Sequence, residues 1–573
     1  MGRDWSSELV GCIKGADRVA ANALLTDWAE TRSYEEAVTE LLTPALELFG
    51  GLWADQGGET SLAQGYVAAK IAEDLLGRIL VVREAEGRSL EAKHGPVVIG
   101  NVEDDYHPLG RNMLVAFLRS AGWEVYDLGV DVPPEVFLDK VQEVGARVLG
   151  ASAMMFSTAR NVAGIRQEID RRGLTGRVQL AVGGPCSSCG RSSSRPSGGM
   201  ARRPRRSTPR RSSSSSGSAP WPCTRQPTRR PVMNSLERVF ATVGGQPKDR
   251  PAFVLNLSLY GSKLAGHPLQ THYSTASAYA EGQMAVREVF GPDLLLSPFL
   301  VPALGEAFGS EVTAYRQQVP NIRRYAAASA AEALKLPLPD IDGQPRLVFL
   351  RETIRLLAAR YQGEVPVVGV LVSPLDLPPL VIGVEAWLEA LLSEPDTARA
   401  LLERWTPFCV DLANAMLGDG ATLVALTANF ANPTLVPPRV VQGLARPVLE
   451  AALGAIQGPI ILLHGGAVLA PHLAGYLGLP NVAAYFVDAR DSLAQARQAL
   501  GDAGVLIGNL HAPALEDETP ESVRTQCEAI LADRVGDPRF LFGSSGADIP
   551  LATPPEVIQA VVDTLCQAGA GAL

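Results

Sequence analysis

Two groups of residues in this 573-residue chain have types and spacing that could do chemistry. Asp105-Tyr-His107-Pro-Leu-Gly110 sets a carboxylate two residues before an imidazole, in a segment that follows the apolar run Pro96-Val-Val-Ile-Gly100. Such a histidine can give one ring nitrogen to a metal while the other donates its proton to the carboxylate, which sets the tautomer and raises basicity. Gly110 lets backbone lie against a bulky planar ligand. The plain alternative is a solvated loop histidine. Much further on, His464-Gly-Gly466 follows Ile460-Ile-Leu-Leu463, Asn509 follows Val505-Leu-Ile-Gly508, and Ser544-Ser-Gly-Ala547-Asp548 follows Phe540-Leu-Phe542. His464 could serve as acid or base with Asp548 as its partner.

The elements that position these groups are legible from periodicity. Ala37, Leu41, Leu42, Ala45 and Leu48, then Ala63, Val67, Ala68, Ile71, Leu75 and Leu76, recur at three-to-four spacing and predict a helical bundle over about 1–92, with an earlier helix near 7–29. Residues 93–185 alternate strand and helix: Pro96–Gly100, Glu124–Leu128, Val148–Ser152 and Gln179–Gly183, with a helix from Arg111 to Ala121. That alternation predicts a parallel, doubly wound sheet of the flavodoxin-like or Rossmann-like kind, whose ligands bind at the carboxyl ends of its strands. From 233 to 573 eight strand-like runs recur with helical stretches between most of them, beginning at Phe253–Leu257 and ending at Phe540–Phe542, and predict a (β/α)8 TIM barrel. Its mouth collects Asn256, Ser258, Ser373, Asn429, His464, Asp488, Asn509 and 543–548.

Composition bounds the rest. Hydrophobic residues at 46% and charged residues at 20% are those of a globular protein able to bury large cores. No uninterrupted apolar run of membrane length and no signal-peptide pattern occur, which predicts a soluble, cytoplasmic protein that does not engage membranes. Seven dispersed cysteines argue for a reducing compartment. Residues 186–232 break the pattern. They are almost wholly Ser, Arg, Pro and Gly, and taking their 11 arginines from the chain's −10 leaves −21 on the remainder. So few apolar side chains predict disorder, or a joint between two reading frames in which ordinary sequence has been replaced. Nucleic-acid binding by this stretch is disfavoured, because charge runs are mostly solvated. Cys186-Ser-Ser-Cys189 lies inside it, and a zinc site there would need two further ligands.

Asp105-Tyr-His107-Pro-Leu-Gly110, then Ser152-Ala-Met154 with Thr158 nearby, then Gly183-Gly184, behind a helical cap, resemble the cobalamin-binding domain shared by methionine synthase and the corrinoid proteins of methyltransferase systems. The resemblance implies cobalamin as cofactor and His107 as the lower axial cobalt ligand, in place of the cofactor's own dimethylbenzimidazole. Asp105 would be its hydrogen-bonded partner, Ser152 would hydrogen-bond the displaced nucleotide tail, with Gly183 and Gly184 making room for it, and Thr158 would be among the cofactor-binding residues. The cap would cover the upper corrin face, with Trp53 near the cobalt. The domain normally continues past Gly-Gly, and here the Ser/Arg stretch stands in that place.

The second half resembles the uroporphyrinogen decarboxylase superfamily, in Asn234-Ser-Leu-Glu-Arg238 with Asp249-Arg-Pro251, in Gly508-Asn509 followed by Thr519-Pro-Glu-Ser-Val523, and in Ser544-Ser-Gly-Ala-Asp-Ile-Pro550. The arginine-rich motif of the true decarboxylases is missing, so the resemblance points to the branch that moves methyl groups between corrinoid proteins and thiols. That branch holds zinc with His-x-Cys and a later Cys. This chain has Gly466 and Ala547 at those positions, so no zinc is expected, and His464 and Asp548 are either acid and base or polar relics of an altered site. The two resemblances together imply a corrinoid-dependent methyltransferase acting on a small methyl donor or acceptor, with a separate methyltransferase or a reductive activator as further partner. The competing expectation is a non-catalytic corrinoid carrier or sensor with a degenerate barrel. Uroporphyrinogen decarboxylation ranks third.

Overall fold

The computed structural model describes residues 4–54, 61–86, 92, 94–184, 233–315 and 318–570. The bundle of helices at the N-terminus is built by ordinary signals: Asp4, Asp17, Ser33 and Ser61 each accept a backbone N–H at a helix start. A single helix is expected over 7–29, but two form, Trp5–Lys14 and Arg18–Glu30. The chain breaks between them because Ala16 takes a left-handed φ of 50° and Asp17 caps the second helix. The longest helix, Leu62–Ala85, opens with a Ser61/Gln64 capping box.

The small sheet has four parallel strands, β1 His94–Asn101, β2 Trp123–Asp127, β3 Val148–Ser152 and β4 Gln179–Gly183, in the order β2-β1-β3-β4. β1 is buried between its neighbours from Val97 to Asn101, whereas β4 lies largely exposed. Cys186 and Cys189, with the whole stretch to 232, lie outside the described residues.

The barrel strands are β5 Ala252–Val254, β6 Leu295–Leu296, β9 Val367–Val372, β10 Leu423–Thr427, β11 Ile460–Leu463, β12 Val482–Phe486, β13 Val505–His511 and β14 Phe540–Ser545. Between β6 and β9 a short antiparallel hairpin, β7 Glu311–Thr313 and β8 Asn321–Arg324, is added. The eight strands run parallel in the order β5-β14-β13-β12-β11-β10-β9-β6. Between β5 and β6 the ring is bridged by Asp293 N–H donating to Phe253 O at 2.8 Å. Because strand side chains alternate, Val254, Val368, Val370, Ala425, Ile461, Val505, Ile507 and Leu541 pack inside the barrel, while Leu371, Leu426, Leu462, Leu506 and Phe542 face the helices. Burial on both faces is why these strands read as continuous apolar runs rather than as alternating ones.

The cap is welded to the outside of the barrel. Leu62 N–H and Ala63 N–H donate to Thr434 O and Leu435 O, both at 2.9 Å. Tyr66 Oη–H donates to Glu389 Oε2 at 2.6 Å, Arg18 reaches both Asp74 and Glu389, and Lys70 pairs with Glu385 at 2.8 Å. Cap and outer barrel residues belong to one buried apolar cluster. Among the described residues no helix is long and apolar enough to cross a membrane.

Candidate functional site

At the carboxyl end of β1 the Asp105/His107 pair is held by a closed set of hydrogen bonds. Asp105 is fully buried, and its Oδ1 accepts from Asn101 Nδ2 at 3.0 Å and from the His107 backbone N–H at 3.0 Å, with His107 Nδ1 at 3.3 Å. Its Oδ2 accepts from the Met154 N–H and from Thr158 Oγ1, each at 2.7 Å. Burial would raise this carboxyl, but the hydrogen bonds from His107, Thr158 and Met154 and the His107 charge outweigh it and hold it well below the usual carboxylate range. Asp105 is therefore an anion whose lone pairs are spent on fixing the loop and the imidazole. With Nδ1 facing Asp105, Nε2 of the half-exposed His107 is the nitrogen available to a metal.

The surroundings fit a large planar group. A Cβ placed on Gly110 or on Gly183 would meet nothing within 4 Å, so protein packing does not require glycine there, and open space lies beside the imidazole loop. Gly184 is different: at φ +133° its added Cβ would fall 1.8 Å from Ala153 O, so it serves close backbone approach between β4 and the end of β3. Ser152 ends β3 half-buried, in register with Asn101 and Gly183. Thr158 is fully buried and turned to Asp105, so it positions the carboxylate. Trp53 falls in the helix Thr43–Ala54, and its side chain lies outside the described residues. Sequence reasoning missed Asn101, whose amide bonds both Asp105 and His107 O and is itself held by Arg111; its one signal was a polar residue ending an apolar strand.

The second site is a chamber of about 90 Å3 inside the barrel mouth. Its walls are Val254, Leu296, Phe299, Val370, Ile461 and Phe486, and its polar lining is Asn256, His464, Asp488, Ser544 and Ser545. His464 is buried, its ring set edge-on to Tyr476 at 4.8 Å, and neither ring nitrogen has a hydrogen-bond partner. Burial, with the neighbouring His472, brings it down to about 3, so it is a neutral imidazole at physiological pH. Asn256 Oδ1 and Ser545 Oγ are likewise buried and unpartnered.

The expected pairing of His464 with Asp548 does not form. Asp548 points away from the chamber, accepting from the Leu259 N–H at 3.2 Å beside the buried Ser258, Tyr273 and Tyr279 hydroxyls. Burial raises it to about 7 against the backbone hydrogen bonds of Leu259 and Ser258. Asn509 is not on the chamber wall either, because its amide donates to Asp488 O at 3.0 Å and Asp491 O at 2.9 Å and pins the loop after β12. Ser258, Ser373 and Asn429 stand off the wall too, Asn429 being tied to Asp376. Gly466 and Ala547 do line the chamber, and among the described residues no three His, Cys, Asp or Glu side chains converge to hold a metal.

The two sites face each other. Asp104 O accepts from Tyr315 Oη–H at 3.4 Å, Met155 Sδ from Asn321 Nδ2 at 3.4 Å, and Arg160 pairs with Glu516. Asp104, Met155 and Arg160 follow β1 and β3, while Tyr315, Asn321 and Glu516 lie on segments that follow β6 and β13. The carboxyl-end edge of the small sheet therefore sits over the carboxyl-end mouth of the barrel.

Comparison with known proteins agrees with this division. Residues 234–567 match the model of the uroporphyrinogen decarboxylase (URO-D) family, and residues 95–196 match the B12 binding domain. Trimethylamine corrinoid protein 1 of Methanosarcina mazei is 36% identical over 115 residues, 20% of this chain and 53% of that protein. The trimethylamine corrinoid protein of Methanosarcina barkeri is 32% identical over 170 residues, 30% of this chain and 75% of that one. The chain thus spans about half the length of the first of these relatives. A methyltransferase structure from Methanosarcina mazei superposes with a TM-score of 0.53 at 18% identity, over 58% of this chain and 99% of that one, which is a likeness of fold.

Proposed function

The chain belongs to the uroporphyrinogen decarboxylase family and carries a B12-binding domain ahead of that barrel, and on these two facts we propose that it transfers a methyl group between a small molecule in the barrel chamber and cobalamin held at His107. The single observation that carries the reading is the facing of the two edges: the loop that bears His107 and the chamber that bears His464 open toward one another through Tyr315, Asn321 and Glu516. One chain holding both sites replaces a bimolecular encounter with an intramolecular one.

Bound cobalamin supplies a cobalt centre that can take up and give back a methyl group. The protein's own part is to orient and to exclude water. Asp105 keeps the His107 proton on Nδ1 and so directs Nε2 outward, with Asn101 and Thr158 holding Asp105 in turn. In the chamber, neutral His464 offers one N–H and one lone pair, and Ser545 a hydroxyl, to the heteroatom that exchanges the methyl group. Gly110 and Gly183, with open space beside them, and Ser152 would help to hold the rest of the cofactor. We place the activity in the cytoplasm and take a separate methyltransferase or a reductive activator as a further partner.

A second reading has its own support: Gly466 and Ala547 replace zinc-binding side chains, so the barrel could hold a ligand without turning it over and the chain would be a corrinoid carrier or sensor. Decarboxylation of a polycarboxylate is disfavoured, because among the described residues no arginine or lysine lines the chamber. The decisive experiment is anaerobic reconstitution with hydroxocobalamin, read by the visible spectrum, followed by single-turnover methylation from small methyl donors. Stoichiometric binding with a histidine-ligated spectrum that is lost in His107→Ala, together with methyl transfer, is the expected result. Binding without any transfer would select the carrier reading, and no binding would remove both.

A further inference from the structure

The Asp105/His107 pair is tied to the barrel by an unbroken line of side chains. Asp105 Oδ1 and His107 O both accept from Asn101 Nδ2 at 3.0 Å, and Asn101 Oδ1 accepts from Arg111 Nη1 at 3.0 Å. On its other side the same guanidinium donates through Nη2 to Asn112 Oδ1 at 2.8 Å, and Asn112 Nδ2 donates to Glu385 Oε2 at 2.9 Å. Glu385 belongs to the barrel helix Val384–Ser393. The line has one hydrogen-bonding sense: a guanidinium carries donors alone, so each flanking amide must turn its oxygen to Arg111 and its NH2 outward, where a carboxylate receives it. Turning either amide over would set N–H against N–H. Each of these bonds to Arg111, Asp105 or Glu385 has an ionised partner and belongs to the stronger class. Asn101 and Asp105 are fully buried and Arg111 nearly so, which keeps solvent from competing for the inner bonds, and Arg111 Nε lies 3.0 Å from Asp127 Oδ1. Arg111 and Asn112 stand in the first turn of the helix Leu109–Ser120, directly after the His107 loop.

We propose that Asn101, Arg111 and Asn112 are positioning residues through which Glu385 of the barrel sets the His107 loop for the cofactor. The docked barrel, and not the small domain alone, then fixes the imidazole. The inference rests on the reading of His107 as the residue that holds cobalamin, and it goes further in making that seat depend on a carboxylate of the other domain. Lys70 of the cap pairs with the second oxygen of Glu385 at 2.8 Å, so cap, barrel and small sheet meet at this one side chain. A shift of the helix Leu109–Ser120 against the barrel would move Arg111 and Asn112 together and pull on Asn101, which holds both Asp105 and the His107 carbonyl.

The test uses the full-length protein. Asn112 and Glu385 are only partly buried, so Asn112→Ala and Glu385→Ala should fold, which thermal unfolding checks. Without cobalamin, hydrogen exchange read by mass spectrometry should show the amides of His107 and Met154, both of which donate to Asp105, exchanging about three- to tenfold faster in either variant, while the helix Leu109–Ser120 keeps its rates. With hydroxocobalamin, both variants should bind about three- to tenfold more weakly, the worth of one hydrogen bond, and show a smaller histidine-ligated fraction in the visible spectrum. Combined, they should lose no more than either alone. Glu385→Gln, whose amide oxygen can still accept from Asn112, should restore both readings. Glu389→Ala loosens the cap from the same barrel helix without touching Asn112, and should leave the His107 exchange as in wild type. Unchanged exchange at His107 and Met154, Glu385→Gln no better than Glu385→Ala, or faster exchange with unaltered cobalamin binding would overturn the proposal. A wild type that takes up no cobalamin would sink the methyltransferase reading, and the exchange rates would then decide the positioning role by themselves.

Discussion

Single residues divide here into those that act on a ligand and those that hold others in place. Asp105 spends every lone pair on Asn101, His107, Met154 and Thr158, so Asp105→Asn should leave the fold intact yet loosen the His107 ring, weakening cobalamin affinity about 10- to 100-fold in a reconstitution titration. Asp548 makes a pH-dependent contribution instead. Its ordinary value is 3.8 and the fold raises it to about 7, so between those limits the native state holds a proton that the unfolded chain has released. Its contribution to stability is therefore greatest below about pH 4, declines as pH rises, and levels off above about 7. Thermal midpoints of wild type and Asp548→Asn taken at several pH values across that window should show a smaller fall with rising pH in the variant; parallel curves would assign the slope elsewhere. Gly184→Ala puts a Cβ onto Ala153 O at a positive φ and should cost about 2 kcal/mol or more in denaturant unfolding.

Elements set how the cap meets the barrel. The helix Leu62–Ala85 presents Tyr66 and Lys70 to the barrel helix Val384–Ser393, which answers with Glu389 and Glu385. The ion pairs are partly exposed, so each is worth at most about 1 kcal/mol. The buried Tyr66 hydroxyl is the stronger point. Removing its acceptor in Glu389→Ala leaves it unsatisfied and should cost about 1–3 kcal/mol, and Tyr66→Phe combined with Glu389→Ala should recover part of that loss. A double-mutant cycle by urea unfolding with no coupling between the two would show that the apolar cluster alone holds the cap.

For the whole molecule, what matters is the opposition of the two strand-end edges. Arg160 and Glu516 pair across it, and both follow strands that end at their respective sites. If transfer uses this docked arrangement, Arg160→Glu should slow single-turnover methyl transfer several-fold at low salt, and Arg160→Glu with Glu516→Arg should restore it. The difference should vanish near 1 M salt, where the screening length falls to about 3 Å. Rates insensitive to all three changes would mean that the chain reorients before transfer.

The order of elements was legible along the chain, because burial on both faces turns barrel strands such as Val367–Val372 into unbroken apolar runs, and a helix face recurs every three to four residues. Asp105 and His107 were legible for the same local reason: they are two residues apart on one loop, and the contact that matters spans only that loop. The polar residues of the chamber were legible as strand ends, but which of the strand-end residues turn into it was not. Asn256, His464 and Ser545 lie at three different strand ends far apart along the chain, and whether a polar strand-end residue turns inward to a cavity or sideways to a neighbouring loop depends on strand tilt and packing around the closed ring. So His464 stands unpartnered in the chamber while Asp548 and Asn509, equally plausible by position, are taken up by Leu259 N–H and by the carbonyls of Asp488 and Asp491. The facing of the two sites was beyond reach for the same reason, since the Tyr315, Asn321 and Glu516 contacts join segments that no local pattern relates.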